Sequence, residues 1–589
     1  MIKDLVFATK KLPIAISFHD AEESHIPVEK IKKYDAPPAP KSLHEAMNGP
    51  FAKYFKKAML VEVKSLEEKM VWKIVTKPAN KKLIKSKWVF AYKTDQEDYI
   101  IRFKARLVAQ GFSQIEGEDY NETFAPVVKI RSVRLLLALA LHHDLHIEQL
   151  DVETAYLYGD LQIPNYMKMP PGFEKFTPNG EELVCKLEKS LYGLHQSGRE
   201  WFDCITKYLK TISFEPLKTD PCLFSRGQGG ERVILSLYVD DVISVTKDSN
   251  TAKSFKNEIR SRYAIVDGGE ANWVLKIQIQ RFEDGIFLSQ STYAEEILKK
   301  AKLWDLADVK EYETPLMTTW NHDPNSPELD LERQKWYHSF VMKIAYLSQN
   351  TRPDLAYAAN VLAQWQSKAN ESDMNALNRT LRYIRYTYDY GLWYEKEPDN
   401  SGNVIFSQEL EIDPITPMGY ADASYANEVG FKSRSGYAFF VNGSLINWFS
   451  KKQPVVALSS TEAEIIAFSE SVKESLCLRQ LVSELNGQVK GTTVIAQDNQ
   501  SAIAICLDPI QHARVKHMNV RQFFVRDHLA NKEIKMIYCP TEEMIADIFT
   551  KALPRKLHWK FMDLLGMRSR RFIDEGHRKR VKMIIKKFK

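Results

Sequence analysis

"LSLYVDDVISV", residues 235–245, is the stretch whose reading decides the fold. Two β-branched runs meet at adjacent carboxylates, Asp240 and Asp241, a pattern that predicts a hairpin with the acids at its turn. An ionised carboxylate in an apolar setting is unfavourable unless it is paired or bound to a metal, and two adjacent ones also repel. A hard cation such as Mg²⁺ removes both problems, because it prefers carboxylate and phosphate oxygens. The acids therefore predict a metal, and the metal predicts phosphate chemistry. For these two residues alone an ordinary Asp-rich turn is the rival reading.

Working outward, Asp151 ends the apolar strand that opens "HIEQLDVETAYLYGDL" (146–161). Beside the hairpin turn it completes a three-carboxylate cradle for two ions, an arrangement that serves phosphoryl transfer. Upstream, residues 42–69 carry helical periodicity with Ser42 as N-cap, "KSKWVFAYKTDQEDYIIRFKARLVAQGF" (85–112) reads as a long basic hairpin, and "IRSVRLLLALALHHD" (130–144) as a helix. Downstream, an α/β unit begins near Pro417. Its strands are "GYADASYA" (419–426), "SGYAFFV" (435–441) and "SLINWFS" (444–450), the last two joined by an Asn442–Gly443 turn of type I′. A helix from Thr461 to Leu485 and a strand "TVIAQD" (493–498) follow. Four acids lie on separate elements of this unit: Asp422, Glu464, Asp498, and Asp547 in a helix read from "EEMIADIFTKAL" (542–553).

At 589 residues the chain is long enough for several domains. Its 44% hydrophobic and 27% charged composition is that of a soluble globular protein. The net charge of +6 is uneven: from Arg568 onward ten Lys and Arg face only Asp574 and Glu575, so the rest of the chain is slightly acidic. Nucleic-acid binding by the body must therefore use local basic surfaces. The six cysteines form no C-x-x-C pair and predict free thiols in a reducing compartment. "LLLALAL" (135–141) falls short of a membrane span, and Met1 opens onto Lys3 and Asp4 without a signal-peptide core, so the expectation is an intracellular protein with no membrane partner.

Seven blocks then stand in a telling order: "RFKARLVAQGFSQ" (102–114), "ETFAPVVK" (122–129), "QLDVETAYLYGDL" (149–161), "SLYGLHQSGREW" (190–201), "YVDD" (238–241), "NTRPDLAYAANVL" (350–362) and "ALSSTEAE" (457–464). Together they resemble a copia-type retrotransposon Pol polyprotein over about residues 41–567. The resemblance implies an α+β and α/β multidomain fold: reverse transcriptase fingers and palm at 41–250, thumb and connection at 251–410, and a ribonuclease H-like α/β domain at 411–567. A linker or truncated upstream region (1–40) and a basic tail (568–589) would flank them.

The implied activity is RNA- and DNA-directed DNA synthesis with cleavage of RNA in RNA–DNA hybrids. The resemblance assigns catalysis and metal binding to Asp151, Asp240 and Asp241 in one site and to Asp422, Glu464, Asp498 and Asp547 in the other. Each site would take two Mg²⁺ ions, with Mn²⁺ an admissible substitute. Lys104 and Arg106 would grip the triphosphate of the incoming dNTP, Tyr156 would act as the steric gate against a 2′-hydroxyl, and Gln196 would contact the dNTP. Glu464 is preferred to Glu462 from the family's pattern; His517 and Asn519 stay outside the metal site, since the family's Asp is Asn519 here. The implied partners are an RNA template, a DNA primer, the hybrid, dNTPs and other Pol and Gag products. The implied location is the cytoplasm, in a virus-like particle if the element is intact, or the nucleus.

The chain departs from the family at His195 and Gly198, where Lys and Pro are usual, and at Lys276, Met342 and Lys343, where glycines stand in the primer grip and in a later turn. These changes bear on primer positioning, because glycine reaches backbone conformations that other residues resist. No retropepsin triplet, zinc knuckle or integrase zinc module is present, so the expectation is the polymerase and nuclease end of a larger polyprotein. A decayed or co-opted copy that binds nucleic acid without synthesis is the rival, and it predicts lost acids; all seven are in place.

Overall fold

The computed structural model describes residues 31–576 apart from 80, 96, 399–404, 406–412 and 508–518. His517 and most of the basic tail lie outside the described residues. Helix α1 (Ala52–Glu68) buries Phe55, Met59, Leu60, Val63 and Leu66, a stripe at helical spacing. The helical stretch expected from Ser42 is in fact two helices, because Gly49 and Pro50 interrupt it after a first short one capped by Ser42. The stripe packs on an antiparallel hairpin, β1 (Ser86–Thr94) and β2 (Ile100–Ala109). Strand alternation turns Phe103, Ala105 and Leu107 of β2 toward the helix and leaves Arg102, Lys104 and Arg106 on the other face. Lys32 and Lys33 are tied to the hairpin: Lys32 forms a β-bridge with Tyr99, and the Lys33 N–H donates to the Asp98 carbonyl at 2.9 Å.

Helix α2 (Ile130–His142) is buried from Ser132 to Leu141 beneath a six-stranded antiparallel sheet. Its central strands are β3 (His146–Val152), β4 (Val233–Tyr238) and β5 (Asp241–Thr246), in the spatial order β3-β5-β4. Helix α3 (Ser197–Thr211) covers the opposite face through Trp201, Ile205 and Leu209. Burial on both faces is why β4 and β5 read as near-continuous apolar runs around the acids.

A five-stranded sheet follows, in which β6 (Trp273–Val274), β7 (Ile277–Phe282), Gly285–Ser289 and Tyr390–Glu395 are completed by Met567–Ser569 from near the C-terminus. The tail expected from 568 thus begins inside a strand, because that strand supplies the sheet's last edge. Met342 and Lys343 sit inside a regular helix, Leu331–Asn350, where a Cβ brings no backbone strain. Lys276 is different: with Leu275 it forms the β6–β7 turn, at φ 59° and 51°.

The C-terminal α/β unit contains β8 (Met418–Glu428), β9 (Lys432–Val441), β10 (Ser444–Lys452), α4 (Ser460–Asn486), β11 (Thr493–Gln497) and β12 (Ile534–Tyr538). Strand order is β10-β9-β8-β11-β12, antiparallel across the first three and parallel across the last. The unit is mixed α/β, as the sequence led us to expect. Asn442 and Gly443 both have positive φ, as the type I′ turn requires. The largest core runs without a break from Val128 to Met567, so α2 and the C-terminal unit share one interior. Within it the fully buried Arg134 stacks 3.9 Å over the Trp448 ring and donates to the Gln349 and Asn350 carbonyls.

Candidate active sites

Pairing register builds the first site. Asp241 lies directly opposite Asp151 in the β5–β3 ladder, so both side chains leave the same face of the sheet. Asp240 is one residue back, in the turn, and its carbonyl accepts the Val152 N–H at 2.8 Å. That two-residue turn has Val239 at φ 57°, a conformation a β-branched residue adopts only under constraint. The constraint is visible: the indole N–H of the buried Trp201 donates to the Val239 carbonyl at 2.6 Å.

All three carboxylates are half-buried. Burial first, then Asp240, raises the Asp151 carboxyl above its ordinary range, while Lys104 opposes the rise. Asp241 is raised by burial and then by both neighbouring acids. Crowded like charges of this kind favour a bound cation.

The basic hairpin reaches this site. Lys104 acts on Asp151 electrostatically, and burial lowers the Lys104 ammonium itself. The Arg106 guanidinium lies 5.0 Å over the ring of Tyr192, which in turn meets Tyr156 edge-on at 5.1 Å. Tyr156 sits in a 3-10 turn just after β3, and Asp240 acts on both tyrosines. Tyr192 links two predicted site residues, yet no sequence signal singled it out. Its loop is pinned by Gly193 at φ 91°, where a Cβ would come within 2.2 Å of the Ala109 carbonyl oxygen at the end of β2.

Gln196 immediately precedes α3. It is 3% exposed; its amide oxygen accepts from Gln114 at 3.0 Å and its amide N–H donates to the Asp119 carbonyl at 3.3 Å. Those bonds brace the segment before α3, and a nucleotide contact would have to replace them.

The second site is more tightly drawn. Asp422 in β8, Glu464 in α4 and Asp498 just after β11 bring ligand oxygens within 4.8 Å of one another, the one such trio of His, Cys, Asp or Glu among the described residues. Asp422 and Glu464 are buried. Burial, then Asp422 and Asp498, holds the Glu464 carboxyl well above its usual range. An all-oxygen donor set of converging acids fits a hard divalent cation. Glu462 takes the role of a cap, its carboxylate accepting the Leu458 N–H at 2.6 Å, which leaves Glu464 for the cluster.

Asp547 does not join the trio. It is buried next to Asp422, which after burial itself is the main cause raising its carboxyl, and Lys551 Nζ lies 2.8 Å from its Oδ1. The helix expected around it is replaced by two 3-10 turns, Thr541–Glu543 and Ile545–Phe549, with Met544 at ψ 89° between them. Every residue from Ile545 to Phe549 is buried, so packing on all sides overrides helical continuation. Uncharged groups orient the other acids: the Thr550 hydroxyl donates to Asp422, Gln497 to Glu464 at 3.3 Å, and Thr541 to Asp498 at 3.0 Å. Of these partners only Lys551 left a mark in the sequence, four residues after an acid.

Residues 69–318 match the family described as reverse transcriptase (RNA-dependent DNA polymerase). The chain is 36% identical to the retrovirus-related Pol polyprotein from transposon TNT 1-94 of Nicotiana tabacum, over 90% of this chain and 39% of that one. To the Pol polyprotein from transposon RE2 of Arabidopsis thaliana it is 31% identical, over 87% of this chain and 34% of that one. It thus spans little more than a third of these relatives' length. A crystal structure of the prototype foamy virus protease–reverse transcriptase aligns with 85% of this chain and 55% of that one, at 11% identity and a TM-score of 0.24. The resemblance to copia-type Pol polyproteins is borne out. No helix among the described residues is long and apolar enough to cross a membrane.

Proposed function

We propose that this chain, which carries a reverse transcriptase domain over residues 69–318 and is similar to copia-type Pol polyproteins over most of its length, extends a DNA primer on RNA and DNA templates and cleaves RNA in the hybrid it makes. The observation that carries the reading is the direct pairing of Asp151 with Asp241, with Asp240 in the adjoining turn and Lys104 acting from the fingers hairpin. Asp151, Asp240 and Asp241 would hold two Mg²⁺ ions, or Mn²⁺ in their place, and Asp422, Glu464, Asp498 and Asp547 a second pair; when bound, these ions stabilise charge on the attacking and leaving oxygens.

The remaining roles belong to side chains. Lys104 and Arg106 meet the triphosphate as charge-assisted donors, Arg106 aimed by its stack on Tyr192. Tyr156, held against the same ring, faces the sugar and selects against a 2′-hydroxyl. In the C-terminal site Thr550, Gln497 and Thr541 fix three carboxylates before substrate arrives, so little reorganisation is left for the reaction. RNA template, DNA primer, dNTPs and the hybrid are the proposed partners, with other Gag and Pol products around them.

The test is primer extension by purified protein with Mg²⁺, a primed RNA template and dNTPs, alongside cleavage of a labelled hybrid. Wild type is expected to do both, and Asp240→Asn only the second. One observation favours a second reading, a copy that binds hybrid without synthesis: two residues other than glycine occupy the left-handed β6–β7 turn. Hybrid binding without extension by wild type would establish that reading instead.

A further inference from the structure

Three acids of the C-terminal cluster are held by uncharged partners, and the fourth by a charge. Lys551 Nζ contacts Asp547 at 2.8 Å and interacts electrostatically with Asp422 and Asp498 as well. Its side chain is 38% exposed, so it reaches both the buried Asp547 carboxylate and solvent. Meanwhile Asp422, Glu464 and Asp498 converge without Asp547. The trio is arranged as a seat for one cation, and Asp547, buried beside Asp422, already has a positive charge against it.

We infer that Lys551 fills, with its own ammonium, the seat that a second divalent cation takes between Asp422 and Asp547, so that loading this seat is a displacement. This rests on the proposed cation-binding role of the cluster. Four carboxylates gathered in a protein interior repel one another strongly; a tethered charge relieves the repulsion while the site waits and must be pushed aside when it loads. Lys551 is therefore a positioning residue whose effect falls on the second cation and hardly at all on the first. An ordinary surface ion pair would have no such consequence.

The experiment counts bound Mn²⁺ by electron paramagnetic resonance on the full chain, in an Asp240→Asn, Asp241→Asn background that weakens the competing site. Lys551→Met is expected to leave the first affinity near that of the parent and to tighten the second roughly tenfold. Lys551→Arg keeps the charge and should keep the parent's weak second affinity. In EDTA the Met variant should melt below the parent, and added Mg²⁺ should close the gap. An unchanged second affinity in the Met variant overturns the inference. So does a melting deficit that Mg²⁺ does not repair, which would make Lys551 a plain structural partner. Weaker hybrid binding with unchanged Mn²⁺ affinity would overturn it too, making Lys551 a phosphate contact. If the parent binds no Mn²⁺ at the cluster, the cation-site reading itself falls, a result distinct from all of these.

Discussion

Asp151, Asp240 and Asp241 stand half-buried at the rim of a sheet, whereas Asp422, Glu464 and Asp547 are buried inside the C-terminal unit. The same repulsion is handled in two ways. At the rim, the acids are held by strand register and a strained turn, and their positive charge arrives from another element through Lys104. In the interior they are held by individual hydrogen bonds, with Lys551 built in beside them. A rim site depends on its backbone, an interior site on its second layer of side chains.

The sharpest way to break this comparison is to disarm one site and watch the other. Asp240→Asn should lower primer extension by about 10³-fold or more and leave hybrid cleavage near wild type; Asp422→Asn should do the reverse. Loss of both activities in either variant would mean that the two sites are coupled through their shared core and are not separate chemical units.

Next in size is a difference in pH response. Asp547 is pushed up to about 8, and Glu464 is raised as well. A carboxyl whose folded-state value exceeds its unfolded one binds more protons when folded, so stability is lost as pH rises through the folded value. Without metal, the melting temperature should fall by roughly 5 °C between about pH 4 and pH 8 and then level off. Asp547→Asn should flatten that slope more than Asp241→Asn does, and Mg²⁺ should flatten it in the parent. A slope governed by Asp241 would reverse the contrast drawn between rim and interior.

Smaller still is the strain held in the rim. Val239→Gly allows the positive φ without a Cβ, and should stabilise the protein by about 1 kcal/mol while slowing synthesis, since the carboxylates lose a rigid support. Smallest is Lys276→Gly in the β6–β7 turn, where up to about 1 kcal/mol of stability should be gained, with primer extension unchanged or improved. Denaturant midpoints read both effects.

What the sequence made legible follows the same division. Strand ends and turns announce themselves through local alternation, so Asp151, Asp240, Asp241, Asp422 and Asp498 could be placed on their elements from their neighbours alone. Roles set by packing left no such trace. The resemblance alone proposes Gln196 as a nucleotide contact, and only tertiary structure shows that its amide is also tied to Gln114 and Asp119. Asp547 was read into a helix because the residues around it favour one, and burial on every side bent them into 3-10 turns instead. Tyr192 and Trp201 act through residues distant in the chain, which local pattern cannot reveal.

One feature of the five-stranded sheet that begins at Trp273 reaches beyond catalysis. Its edge strand, Met567–Ser569, pairs with Tyr390–Glu395, in a sheet that begins at Trp273. During synthesis on the ribosome that sheet stays unfinished until Met567–Ser569 emerge, long after its other strands, and the open edge invites mispairing meanwhile. A premature stop anywhere in the C-terminal unit would therefore remove more than the second acid cluster; it would leave this five-stranded sheet with an uncovered edge, and the nascent protein exposed to quality control.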